Sequence, residues 1–228
     1  MKFYTYGDSS RPAIIMLSGS FCPAESLAYL YDRLKENYYI VVPEYNGHYA
    51  GSKNFTTRHG EAAEIKNYIR ENNLLPELVY GQSMGAEIAI ELVSQLHKDN
   101  VEVRHAVFDG APCIKLSGVY KFSNGDTESL RPALESAKKI SPCVTKESIR
   151  NETECCYTFD FPSFPAEFQK DMHFFYAREE KACKSCYKYV KSAYPKANYR
   201  IESGYGHLTY SIRNTDEYLA WLSDILGK

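Results

Sequence analysis

The chain has 228 residues, 27 basic against 29 acidic, for a net charge of −2. That length suits one α/β domain, and without a basic excess to neutralise phosphates the composition argues against a nucleic-acid partner. No apolar run reaches the ~18–20 residues that a membrane-spanning helix needs, and the opening stretch MKFYTYGDSSRP holds no apolar signal core, so the expectation is a cytoplasmic protein with no membrane partner.

Short β-branched or apolar runs alternate with longer segments of helical period, which predicts βαβ units around a parallel sheet. Ala13–Leu17 (AIIML) reads as a buried strand ended by Ser18, Gly19 and Ser20. Residues 24–37 carry Leu27, Leu30, Tyr31 and Leu34 at helical spacing. A second strand covers 39–42 and stops at Pro43. In 57–72, Ala62, Ile65, Tyr68 and Ile69 repeat as one helix face. A short strand at 78–80 runs into Gly81, a helix follows over 83–97, and 105–108 is a fourth buried strand. The pattern then breaks: 112–170 is irregular and holds Pro112, Pro132, Pro142, Pro162 and Pro165 among helical patches such as 128–139. Alternation resumes with a strand at 173–176, a helix over Lys181–Ala193, a strand at 199–202 and a last helix over 216–226, N-capped by Asn214 or Thr215. The predicted architecture is a single domain over 1–228, a three-layer αβα sandwich on a mostly parallel sheet, interrupted by a cap or lid over 112–170.

The seven cysteines are odd in number and irregularly spaced, and a chain with a core of this size needs no covalent staples, so free thiols are expected. Cys183 and Cys186 form a C-x-x-C pair, but no thioredoxin-like pattern or second pair surrounds it, and no metal role is read there. The insertion is rich in aromatics (Tyr120, Phe122, Tyr157, Phe159, Phe161, Phe164 and Phe168), and most are expected to form a small core of the lid, with one or two facing a ligand.

Gly81-Gln82-Ser83-Met84-Gly85 is a G-x-S-x-G sequence that follows a short strand and opens a helix. Chance would supply such a pentapeptide in about one chain in thirteen of this length, so the context carries the signal. A sharp strand-to-helix turn puts the serine in a strained conformation where side chains two residues either side would collide. The plainer alternative is a serine N-cap between two glycines. A nucleophilic serine needs a histidine base oriented by a carboxylate. Of the six histidines, His48, His59, His97 and His105 sit near elements unlikely to face the turn, or precede it in the chain, and His173 opens a strand. His207 lies in a Gly-rich loop, Ser203 to Leu208, between the last strand and last helix, where an imidazole reaches the carboxyl end of the sheet.

These residues resemble the α/β-hydrolase superfamily over nearly the whole chain outside the insertion. Leu17-Ser18-Gly19-Ser20-Phe21 is similar to the family's oxyanion turn, with Ser18 where His is usual. Pro43-Glu44-Tyr45-Asn46-Gly47-His48 resembles its P-D-x-x-G-H loop, and Gly206-His207 its C-terminal G-H. The resemblance implies Ser83 as nucleophile, His207 as base and Glu180 as acid, since Ala177-Arg178-Glu179-Glu180 aligns with the family's G-x-x-D turn. Asp109 and then Glu179 are the alternative acids. It also implies oxyanion donors in the backbone N–H groups of Met84 and Ser20, and no cofactor. The expected activity is hydrolysis of a small or medium carboxylic ester, a small-molecule substrate. A lyase or acyltransferase using the same groups, or a silent binding module on the same fold, are the alternatives.

Overall fold

The computed structural model describes residues 1–114 and 131–227. Its core is a seven-stranded sheet in the order β1-β3-β2-β4-β5-β6-β7, formed by β1 (Lys2–Tyr6), β2 (Ala13–Leu17), β3 (Tyr39–Glu44), β4 (Pro76–Gln82), β5 (His105–Asp109), β6 (Met172–Ala177) and β7 (Asn198–Glu202). All neighbours are parallel except β1, which runs antiparallel along β3. Strands covered on both faces read as unbroken apolar runs, and Ala13–Leu17 is buried along its whole length.

Alternation within each strand sorts side chains between the two helical layers. Ile15, Leu17, Val79, Phe108 and Tyr176 face α2 (Arg58–Glu71), α3 (Met84–Lys98) and α7 (Lys181–Ala193). Ile14, Met16, Tyr80, Val107 and Phe175 face α1 (Ala28–Leu34), α8 (Thr209–Arg213) and α9 (Thr215–Ile225). The result is the three-layer sandwich that the sequence predicts. The chain visits β3 on one side of β2 and then crosses to β4 on the other, so the sheet's topological switch lies between β2 and β4, where open α/β sheets place their ligand crevice.

One reading needs correction. Pro43 does not end its strand: β3 continues to Glu44, because its pairing with β2 stops at Val41 and only β1 flanks the last residues, where a missing N–H costs little. The first strand, β1, was not expected; its half-exposed KFYTY pattern is weak, and the stacking of Phe3 on Tyr68 and Tyr6 on Tyr31 holds it at the edge. Asn214 occupies the N-cap of α9, but its side chain makes no cap bond.

Between β5 and β6 the chain passes through α4 (Arg131–Ile140), α5 (Lys146–Tyr157) and α6 (Ala166–Gln169). Tyr120, Phe122 and the start of the 128–139 patch lie outside the described residues. The other aromatics do not build a separate lid core. Phe159 and Phe164 are buried in the main core beside α3 and α7, with Phe161 and Phe168 packed against it. A small separate cluster is aliphatic instead: Ala137, Val144 and Ile149, with Phe21 against them.

The β4–α3 turn leaves no space at its glycines. A Cβ on Gly85 would meet Ser18 O at 2.3 Å and Leu17 O at 2.5 Å, and one on Gly81 would meet Gly85 O at 2.3 Å. Because the obstructing atoms are backbone, Gly85→Ala is expected to destabilise the fold by about 1–3 kcal/mol, the range for overpacking. Urea unfolding measures this directly, and an unchanged midpoint would refute the close packing.

Candidate active site

Ser83 sits between β4 and α3 with φ 53° and ψ −123°, outside the regions that non-glycine residues favour. Its N–H donates to Asp109 O across the β4–β5 pair at 2.8 Å, fixing the turn against its neighbour strand. The side chain therefore stands above the carboxyl end of the sheet. His207 reaches it from the loop after β7: Nε2 lies 3.0 Å from Ser83 Oγ. On the other side of the ring, Nδ1 lies 2.5 Å from Glu180 Oε2. Glu180 is the N-cap of α7, with its side chain 1% exposed, and its second oxygen accepts the Ala177 N–H at 2.7 Å. A carboxylate facing Nδ1 assigns the proton to that nitrogen and leaves Nε2 to accept from the serine hydroxyl.

The turn after β2 closes the site from the side. Gly19 comes so near that an added Cβ would lie 3.4 Å from Ser83 Cβ. Ser20 follows it. Met84 is the first residue of α3, so its N–H has no acceptor within the helix. The structure thus assembles Ser83, His207 and Glu180 in one hydrogen-bonded row, beside a turn that carries Ser20 and a helix start that carries Met84.

No family model and no curated protein matches the chain. Solved structures do. A type II thioesterase, BorB, from the borrelidin biosynthetic cluster aligns with a TM-score of 0.78 at 16% identity, over 99% of this chain and 96% of its own. An alpha/beta hydrolase family protein from Desulfitobacterium hafniense gives 0.74 at 15% identity, over 99% and 100%. An esterase from Exiguobacterium antarcticum gives 0.71 at 15%, over 99% and 95%. The chain has the α/β-hydrolase fold.

Within that fold the two alternative acids stand elsewhere. Glu179 is one residue from Glu180 but points outward, exposed and 3.3 Å from Lys184 Nζ. Asp109 ends β5 beneath the site, fully enclosed, and its Oδ2 accepts from Tyr218 OH at 3.1 Å and Tyr80 OH at 3.4 Å. Burial, and then the charge of Glu180, push its pKa from 3.8 up to about 7. His105 and His173 lie at the opposite end of the strands, and burial beside His105 depresses His173 to about 4.

Two residues of the hydrolase fold's site escaped the sequence reading. Gly110 has φ +64° and stands where a Cβ would be 2.8 Å from His207 Cε1, so the imidazole packs on bare backbone. Its only signal was a glycine directly after a strand. Glu152, on α5, pairs with His48, with Nε2 to Oε1 at 2.9 Å and both side chains fully buried. Nothing local in the sequence joins residues 104 positions apart. The His48 ring bonds away from its own loop, to Glu152 and to Cys22 O. All seven cysteines are free thiols.

The raised pKa of Asp109 has a linkage consequence. The folded state keeps a proton that the unfolded chain releases near 3.8, so this group's contribution to stability falls as pH rises from about 4 to about 7. Asp109→Asn removes that dependence. The variant is expected to gain stability relative to wild type between pH 5 and pH 8, measured by urea unfolding at both values; a difference that stays constant with pH would contradict a neutral buried carboxyl.

Proposed function

We propose that the protein is a serine hydrolase of small or medium carboxylic esters, with Ser83 as nucleophile, His207 as general base and Glu180 as the acid that orients it. The observation that carries this reading is the continuous row Ser83 Oγ, His207 Nε2, His207 Nδ1 and Glu180 Oε2 above a turn with positive φ at the serine. The solved structures it resembles include an esterase and a thioesterase. That similarity makes a thioester the second substrate class, since the same groups serve both carbonyls.

In the proposed reaction His207 takes the Ser83 proton as Oγ attacks the carbonyl carbon. The resulting oxyanion is held by the N–H groups of Met84 and Ser20, the first supported by the positive end of the α3 dipole. His207 Nε2–H then protonates the leaving alkoxide or thiolate as the tetrahedral intermediate collapses to the acyl-enzyme. Water, deprotonated by His207, repeats the addition at the acyl carbon and releases the acid and free Ser83. Glu180 remains ionised throughout and stabilises the imidazolium that forms twice per cycle. In this reading the segment 112–170 acts as a cap whose α5 borders the site, and the free thiols fit a reducing, cytoplasmic setting.

A fluorophosphonate probe reports an activated serine without a choice of substrate. Wild type is expected to label, and Ser83→Ala and His207→Ala to be silent. Glu180→Gln should cut kcat for a 4-nitrophenyl ester by about 10²–10⁴-fold by disturbing the tautomer, whereas Asp109→Asn and Glu179→Gln should stay within about 10-fold of wild type. A folded wild type that does not label would overturn the hydrolase reading; larger loss in Asp109→Asn than in Glu180→Gln would transfer the acid's role to Asp109.

A further inference from the structure

The turn after β2 is gripped from its far side by the inserted segment. Phe21, the residue after Ser20, has φ 61°, a conformation that costs a bulky side chain about 1–2 kcal/mol and persists only where its surroundings dictate it. Its N–H donates to Glu152 Oε2 at 3.0 Å. The next residue, Cys22, offers its carbonyl oxygen to Ser18 Oγ at 3.0 Å and to His48 Nδ1 at 3.3 Å. His48 Nε2 completes the circuit on Glu152 Oε1. One carboxylate and one imidazole, both fully buried, therefore hold the Ser20–Phe21 and Cys22–Pro23 peptide groups.

Hydrogen-bond polarity fixes the protons. A carbonyl oxygen only accepts, so His48 Nδ1 carries a hydrogen. Glu152, already accepting from the Phe21 N–H, accepts from Nε2 as well when it is ionised. With Glu152 ionised, both ring nitrogens are donors and His48 is an imidazolium.

We propose that Glu152, through its buried ion pair with the His48 imidazolium, is a positioning residue that sets the oxyanion turn and so aims the Ser20 N–H at the reacting carbonyl. This rests on the assignment of Ser20 as an oxyanion donor in the reading above. Truncating a buried pair leaves an uncompensated charge, so the pair acts as one unit. The charged and titratable groups facing His48 are Glu152 from α5, Glu44 at the end of β3 and the Cys22 thiol of the turn itself, with the Tyr45 ring edge-on at 5.5 Å. Burial opposes the charge on His48, but the hydrogen bond and charge of Glu152, then Cys22 O and Glu44, outweigh it and hold its pKa above 6.5. The ion pair is therefore lost as pH rises through that raised value. His207 works in the opposite sense, since it must be neutral to accept the Ser83 proton.

The experiment uses the full chain, as wild type and Glu152→Gln, in three measurements: fluorophosphonate labelling, the pH profile of 4-nitrophenyl acetate hydrolysis, and side-chain ¹⁵N–¹H NMR of histidine, with His48 assigned by difference from His48→Gln. Glutamine keeps the shape but removes the charge and sets an amide N–H₂ against a donor. The expected result is a folded variant whose kcat falls about 10–100-fold, less than loss of a whole oxyanion donor. KM should change less than about 3-fold, and the alkaline limb should move to lower pH. Wild-type His48 should show two protonated nitrogens at pH 7, and the variant one. A labelled wild type beside a Glu152→Gln protein with unchanged kcat and pH profile overturns the positioning role alone. A wild-type His48 that is neutral at pH 7 overturns the ion pair. An unlabelled, folded wild type overturns the hydrolase reading and this role with it. Should the variant not fold, the wild-type data decide: the alkaline limb of kcat/KM must coincide with the NMR midpoint of His48, and a separation beyond about one pH unit refutes the proposal.

Discussion

The approach of the α3 backbone at Gly85 to the carbonyls of Leu17 and Ser18 governs everything above the sheet. It seats the first turn of α3 directly under the turn after β2, which is why Ser83 and the 18–22 turn share one crevice at the topological switch. The same contact forces β4 to reverse into α3 within a single residue. Ser83 absorbs that reversal with a positive φ, and Gly81 must be bare because Gly85 O occupies the place of its Cβ. Strain of this kind persists only if the flanking elements are rigid. Both are: the inner residues of β4 and nearly all of α3 are buried.

Around this turn the structure distributes buried carboxyl groups in different electrostatic roles. Glu180 meets the Ala177 N–H and the His207 imidazole. Asp109 is pushed up to about 7 by burial and then by the charge of Glu180, against the hydrogen bond from Tyr218. Glu152 meets an imidazole with two donating nitrogens and a backbone N–H. Glu87, on the buried face of α3 beside Cys155, has no cation in hydrogen-bond contact, and burial raises it to about 8. Asp109 and Glu87 are both pushed upward because burial outweighs what their partners offer the charged form.

The segment between β5 and β6 enters the same scheme. Its aromatics anchor in the main core beside α3 and α7, so α5 is fixed on the body of the domain. That anchoring lets a side chain of the insertion, Glu152, reach the turn after β2 with the precision of a core residue. Arg58 adds a second tie, donating to Cys155 O and lying over the Phe159 ring.

Much of this was legible in the chain itself, because it depends on local steric rules. Apolar runs such as AIIML mark strands buried on both faces, helical spacing marks α1, α2, α3, α7 and α9, and the glycine-flanked Ser83 marks a turn that only bare backbone permits. His207 could be named from its Gly-rich loop after the last strand, since loops at one end of a parallel sheet converge. Glu180 was named only through the resemblance of 177–180 to the family's G-x-x-D turn. What the sequence left open was decided by contacts between distant segments. Glu180, Glu179 and Asp109 are chemically equivalent on paper, and only the packing of α7 on β6 turns Glu180 inward while Glu179 meets solvent. Pro43 sits harmlessly in a strand because its neighbour β2 ends early, a matter of sheet register. The His48–Glu152 pair exists because α5 lies across the turn after β2, and a hydrogen bond between residues so far apart leaves no periodicity or motif to read. Local backbone geometry was written in the residue order; the direction of each buried charge came from tertiary packing, because the free energy of a charge depends on everything that surrounds it.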